Sequence, residues 1–191
     1  MKKNIPNIIT IIRMVLVPIF MACIWFIKDP LTCGLVTGAV FGLASFTDFL
    51  DGHLARKWNI VSTVGKVLDP VADKFMIFSA VFMIAVKITE LSWLMIWVGA
   101  IVFLRELGVT SLRLVSASEN GDVIPASFFG KAKTVTQIIC ILVILVEYAI
   151  KGLFDTYYIV SYIAIGAMVF MTVASGVDYV VKFVKTHKNR A

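Results

Sequence analysis

The sequence predicts an all-α membrane protein: a bundle of six transmembrane helices with a short N-terminal juxtamembrane segment and both termini in the cytoplasm. Three observations predict it. Of 191 residues, 60% are hydrophobic and 16% charged, with a mean hydropathy of +0.93, which leaves too little polar surface for a water-soluble domain. Apolar stretches recur at roughly 8–27, 31–48, 66–87, 91–112, 132–150 and 157–182, each near the ~20 residues a helix needs to cross the hydrocarbon core. Finally, Lys28, Lys87 and Lys151 are the only basic residues at the first, third and fifth connections. The rest of the 18 lie at the N-terminus, in the second and fourth connections, in the C-terminal tail, or in helix parts beside them. Basic residues favour the cytoplasmic side, so this bias orients a multi-pass protein of the cell membrane. A single membrane domain over residues 1–191 is expected.

Each element can be justified in order. "NIPNIITIIRMVLVPIF" opens the chain, and Pro6 suits a helix start, which leaves residues 1–6 as a surface segment. Five further apolar spans and the lack of a small-residue cleavage site argue against reading the first span as a signal peptide. Arg13 lies one to two turns into that span, where it either snorkels to the interface or faces the bundle. In the second span Gly34, Gly38 and Gly42 recur every four residues, a small-residue ridge that lets a neighbouring helix approach. The stretches 49–65 and 113–131 are expected to be longer cytoplasmic connections, the latter with turn signals at Asn120-Gly121 and Pro125. The basic tail "KFVKTHKNRA" anchors at the inner leaflet. Topology and anionic lipid account for the net charge of +6, so no nucleic-acid partner is called for. Cys23, Cys33 and Cys140 read as small core residues, and neither His53 nor His187 has a neighbour that would orient it as a base.

The polar exception is "DFLDGHLARKWNIVSTVGKVLDPVAD" at 48–73. Asp48 and Asp51, three apart, share a helix face at the end of the second span. Asp69 and Asp73, four apart, share one at the start of the third. Asp69-Pro70 reads either as a cap with proline in the first turn or as a kinked early turn. Pairing with Arg56, Lys66 and Lys74 is the bland account of these acids. However, carboxylates on helices that run into lipid are expensive, and a cluster of four suits divalent ions better than mobile side chains. All-oxygen ligands favour Mg²⁺ or Mn²⁺ over zinc, and a two-ion carboxylate site suits phosphoryl transfer. Gly52 permits close approach of an anionic substrate, and Arg56 offers a planar fork to phosphate oxygens. One aspartate must take a proton from an alcohol nucleophile; spacing alone does not choose which.

The pattern D-x-x-D-G-x-x-A-R, eight residues, then G-x-x-x-D-x-x-x-D resembles the signature of the CDP-alcohol phosphotransferase family. Asp48, Asp51, Gly52, Ala55, Arg56, Gly65, Asp69 and Asp73 occupy its defined positions. The resemblance implies a six-helix membrane enzyme, a homodimer, in which Asp48, Asp51 and Asp69 ligate the metals and Asp73 is both ligand and general base. Gly52, Ala55, Arg56 and Gly65 would shape the CDP site, with Arg56 on the diphosphate.

"NIPNIITIIR", "FLRELGVTSLR" at 103–113 and "ASFFGKAKTVTQ" at 126–137 resemble the branch of the family that uses CDP-diacylglycerol as donor and glycerol 3-phosphate as acceptor. Arg105, Arg113, Lys131 and Lys133 are the candidates for the acceptor phosphate. Arg105 leads because it lies in an apolar run, while Glu106 beside it is expected on another face, paired with a neighbouring helix. Asn7, Thr10 and Arg13 could reach the nucleotide from the first helix. Rival readings are a cardiolipin synthase that uses phosphatidylglycerol as acceptor, another CDP-alcohol enzyme, and a divalent-cation carrier. The carrier would place its carboxylates near the midplane in inverted halves, not at one face. A polyprenyl transferase would need a second aspartate-rich motif.

Overall fold

The computed structural model describes the backbone of residues 5–58, 63–120, 128–154 and 157–188, and the side chains of 11–47, 71–116, 128–154 and 157–186. Six helices account for nearly all of it: α1 Ile5–Phe26, α2 Pro30–Trp58, α3 Thr63–Lys87, α4 Thr89–Asn120, α5 Phe128–Lys151 and α6 Ile159–Lys188.

Local chemistry explains the boundaries. Asp29 caps α2: its Oδ2 accepts from the Thr32 backbone N–H (2.8 Å) and the Thr32 hydroxyl (2.5 Å), and Pro30 takes the first helical position. The α6 terminus is capped from a neighbouring helix. Buried Glu147 of α5 accepts from the backbone N–H of Ser161 (2.7 Å) and from its hydroxyl (2.5 Å). Just before α6, Tyr158 is the one non-glycine residue with positive φ (54°) among the described residues. It is buried, with the Lys151 ammonium 4.6 Å from its ring centroid. Only Ile88 separates α3 from α4, and Ile88 and Leu91 plug that reversal into the core.

The helices close into a ring in the order α1–α2–α5–α6–α4–α3, with α3 also touching α5. Ile84, Met95, Ile141, Ile144, Leu145 and Met168 fill the centre. The outside is apolar as well. Phe82, Phe103, Val135, Ile163 and Phe170 are exposed, a surface that only lipid satisfies. Exposed Trp25, Trp93, Trp97 and Tyr157 lie toward the end of the bundle that holds Asp29 and Lys151, as aromatic residues do at a membrane interface. Among the described residues four stretches are long and apolar enough to cross a membrane: Pro30–Thr47, Thr89–Ser116, Phe128–Lys151 and Ile159–Thr186. Within the described part of α1 the apolar stretch is Ile11–Phe26. The protein is a multi-pass helical membrane protein.

The glycine ridge packs as expected against α5. A Cβ on Gly34 would stand 2.4 Å from the Leu145 carbonyl oxygen and 2.7 Å from the Ala149 Cβ. Three expectations need correction. The connection expected over 49–65 is largely helix, because α2 runs on to Trp58 and α3 begins at Thr63. Leu, Ala, Arg and Lys there are good helix formers, and leaving the apolar span does not end a helix. Pro70 therefore lies inside α3 and is not in a cap. Likewise α4 continues to Asn120, while Gly121 and Pro125 lie outside the described residues. The N-terminal surface segment shrinks too, since α1 already starts at Ile5, with Pro6 in its first turn.

Candidate active site

The ends of α1, α3, α4, α5 and α6 that lie away from the aromatic fringe converge on a polar region. On α1 the Arg13 side chain is fully buried, and its Nη1 donates to Asp73 Oδ1 of α3 at 2.5 Å, while Asp73 stays 42% exposed. Arg13 thus faces the bundle and does not snorkel. Lys74 follows Asp73 on α3, about 100° further round the helix, and its ammonium donates to Thr110 Oγ1 of α4 at 2.8 Å.

On α4, Arg105 and Glu106 sit within an otherwise apolar run. Arg105 Nη1 donates to Glu106 Oε1 at 3.0 Å, and its Nε donates to Ser175 Oγ of α6 at 3.1 Å. Lys133 of α5, also buried, is ion-paired to the same Glu106 oxygen. Glu106 does pair with a neighbouring helix, but it shares the cavity with Arg105, where another face was expected. The 100° between successive residues is small enough for one concave surface to receive both. One buried and two largely covered charges in a membrane protein are tolerable only when paired in this way.

These side chains line two adjoining cavities. The first, about 200 Å³, lies between α3, α4 and α5. Its charged walls are Asp73, Lys74, Arg105, Glu106, Arg113 and Lys133, with Thr110, Thr134 and Gln137 as neutral polar groups. The second, about 190 Å³, lies between α4, α5 and α6, and adds Lys131, Ser175 and Tyr179 to the shared Arg105, Glu106, Arg113 and Lys133. In each cavity cations outnumber carboxylates: four to two in the first and four to one in the second. Such walls suit an anion of more than one charge, and Asp73, 42% exposed, stands in the wall of the first cavity.

The four residues expected to meet a phosphate, Arg105, Arg113, Lys131 and Lys133, are thus brought together on one cavity from the consecutive helices α4 and α5. Asp48 and Asp51 lie on α2, and Asp69 lies on α3 with Asp73. Gly52, Ala55 and Arg56 are on α2, Gly65 on α3, and Asn7 and Thr10 on α1. The side chains of all these except Asp73 lie outside the described residues. Among the described residues no three metal-ligating side chains cluster, and Asp73 is the one aspartate of the motif that is described. Sequence reasoning left Arg13 open and missed Thr110, Gln137, Ser175 and Tyr179. Arg13 carried the signal that singled out Arg105, a cation inside an apolar run. The others carried none, being ordinary residues until α4, α5 and α6 are known to touch.

A lipid-facing helical bundle with a cation-rich cavity beside a carboxylate defines a multi-pass membrane protein whose polar site, at one end, has the charge to suit an anion. The comparisons say which kind. Residues 3–178 match the family described as CDP-alcohol phosphatidyltransferase, and the chain belongs to that family. A protein of Mycobacterium tuberculosis named probable phosphatidylglycerophosphate synthase is 35% identical over 180 residues, covering 94% of this chain and 81% of its own length. One of Bacillus subtilis, named CDP-diacylglycerol–glycerol-3-phosphate 3-phosphatidyltransferase, is 35% identical over 190 residues, covering 92% and 93%. A Rickettsia bellii protein of the same name is 33% identical over 180 residues, covering 93% of both chains.

Proposed function

We propose that this protein transfers the phosphatidyl group of CDP-diacylglycerol to glycerol 3-phosphate, giving phosphatidylglycerophosphate and CMP. Family membership supports the donor class, and the relatives' names support the acceptor. The observation that carries the acceptor reading is the convergence of Arg105, Arg113, Lys131 and Lys133 on one cavity, three of them shared with the cavity that Asp73 lines. A lipid phosphodiester or a neutral alcohol would not need so many cations.

In this reading Asp48, Asp51, Asp69 and Asp73 hold two divalent ions, Mg²⁺ or Mn²⁺. The donor set fits: it is all carboxylate oxygen, it lies on two continuous helices at spacings that keep each pair on one face, and Asp73 keeps an exposed edge despite Arg13. When bound, such ions neutralise the pyrophosphate and stabilise the leaving phosphate. Arg56, with Gly52, Ala55 and Gly65, receives the CDP diphosphate, and Asn7 and Thr10 approach it from α1. Arg13 holds the Asp73 carboxylate in place by a charge-assisted hydrogen bond. The cation cluster fixes the acceptor's phosphate so that its hydroxyl points at the donor. Asp73 takes the hydroxyl proton as the oxygen bonds to the β-phosphorus, and the bond from that phosphorus to the bridging oxygen breaks, releasing CMP. All six helices span the membrane with both termini and the site in the cytoplasm, and the enzyme works as a homodimer.

The test is purified protein with CDP-diacylglycerol, magnesium and a panel of acceptors. Glycerol 3-phosphate is expected to release CMP; release with phosphatidylglycerol alone would move the chain to cardiolipin synthesis.

A further inference from the structure

Tyr179 is an unexplained polar group in the α4–α5–α6 cavity. It comes from α6, is 4% exposed, and lines the cavity with Arg105, Arg113, Lys131, Lys133 and Ser175. Its hydroxyl is buried and has no hydrogen-bond partner among the described residues. Folding rarely leaves a buried hydroxyl in that condition, because desolvation goes uncompensated. The ring itself is well held: the Arg113 guanidinium carbon lies 5.8 Å from its centroid, and Val109 packs against it in a small satellite core. A rigid ring with an unsatisfied hydroxyl, in a cavity with four cations and one carboxylate, is a neutral donor waiting for an anion.

We infer that Tyr179 donates its hydroxyl to the phosphate of the acceptor, so that the phosphate monoester occupies the α4–α5–α6 cavity while the acceptor's hydroxyl end reaches the adjoining cavity that holds Asp73. Arg105, Arg113 and Lys133 belong to both cavities and bridge the two halves of the substrate. A monoester has three terminal oxygens to share among arginines, lysines and a phenol. A phosphodiester has two, carries less charge, and brings a second substituent into a space of only about 190 Å³. Tyr179 is therefore a specificity residue for monoester acceptors, and it lies on a helix that contributes nothing to the aspartate motif. This inference rests on the acceptor reading above.

The experiment uses the full-length protein in detergent and the Tyr179→Phe variant, with steady-state CMP release and thermal unfolding. With wild type, glycerol 3-phosphate must support turnover; if it does not, the acceptor reading fails, and this inference with it. Given turnover, Tyr179→Phe is expected to raise KM for glycerol 3-phosphate about tenfold, the size of one hydrogen bond to a charged group, with KM for CDP-diacylglycerol unchanged. Glycerol 3-phosphate should raise the wild-type Tm and raise that of the variant much less. Without ligand the variant should be at least as stable as wild type, because the change removes an unsatisfied hydroxyl. An unchanged KM for glycerol 3-phosphate would overturn the inference while leaving the acceptor reading intact. So would an equal rise in both KM values, or a ligand-free variant that melts several degrees lower, which would mean the hydroxyl serves the fold.

Discussion

Arg13 and Glu106 organise the site one residue at a time. Arg13 is fully buried yet meets a carboxylate that water still reaches, so the pair positions Asp73 more than it stabilises the bundle. Replacing Arg13 by Met should change stability by no more than about 1 kcal/mol, since the carboxylate left behind is 42% exposed and stays hydrated. Turnover should fall at least tenfold, and Arg13→Lys should recover part of it; a wild-type rate in Arg13→Met would remove Arg13 from the site. Glu106 plays the opposite part. It accepts from Arg105 and Lys133, and all three side chains are only 7–13% exposed. Glu106→Gln strands two cations in a poorly hydrated place and should destabilise the protein by about 3 kcal/mol. Inorganic phosphate should restore part of the lost Tm by replacing the missing charge, and a melting curve with and without phosphate checks this.

Helix packing sets tolerance at the scale of elements. Gly34 and Gly38 belong to the same ridge but face different space. A methyl group on Gly34 meets the α5 backbone, whereas one on Gly38 has its nearest neighbour at 4.0 Å, the Leu145 Cβ. Gly34→Ala should therefore cost about 1–3 kcal/mol as α2 is pushed off α5. Gly38→Ala should be neutral or slightly stabilising, since alanine is the better helix former. Comparing the two melting temperatures in one detergent decides it. The α2 cap gives a pH prediction. Hydrogen bonds from the Thr32 hydroxyl and backbone hold the Asp29 carboxyl below its ordinary value of 3.8. Its contribution is thus complete above that ordinary value and is lost as pH falls through the depressed one. Asp29→Asn should flatten that part of the acid-stability curve, and a variant that keeps the wild-type slope would show that other carboxylates set it.

The whole molecule is a ring with two different ends. One end is fastened by structural contacts: the Lys87 ammonium on the Ile27 carbonyl oxygen at 2.7 Å, the Lys151–Glu90 ion pair, and Glu147 at the start of α6. The other end leaves its cations around cavities. The candidate site is thereby confined to one end of the bundle, so substitutions at the fastened end should lower Tm without altering KM for either substrate. The orientation proposed for the bundle is checked by reporter fusions. A cytoplasm-dependent reporter should be active after residue 188 and silent after Gly152, and activity at both points would reject six spans. Chelation should stop CMP release and added Mg²⁺ should restore it; undiminished release after thorough chelation would remove the two-ion proposal.

Membrane residence, helical class and the aspartate motif were determined by the sequence alone, because each rests on local properties. Hydropathy is summed along a segment, and residues three or four apart share a face in any helix. That α2 runs on to Trp58 and that α4 continues past its apolar span was not legible, since nothing local marks whether a helix that leaves lipid continues in water. Arg105 and Lys133 could be named as candidates from composition, but their common partner Glu106 could not be placed. Tyr179 could not be singled out at all. Only the tertiary structure decided that α4 lies beside α6 and that α1 lies between α2 and α3 in the ring. Those neighbours depend on how apolar surfaces of similar character pack against each other, and a one-dimensional pattern of hydrophobic residues does not distinguish one such partner from the next.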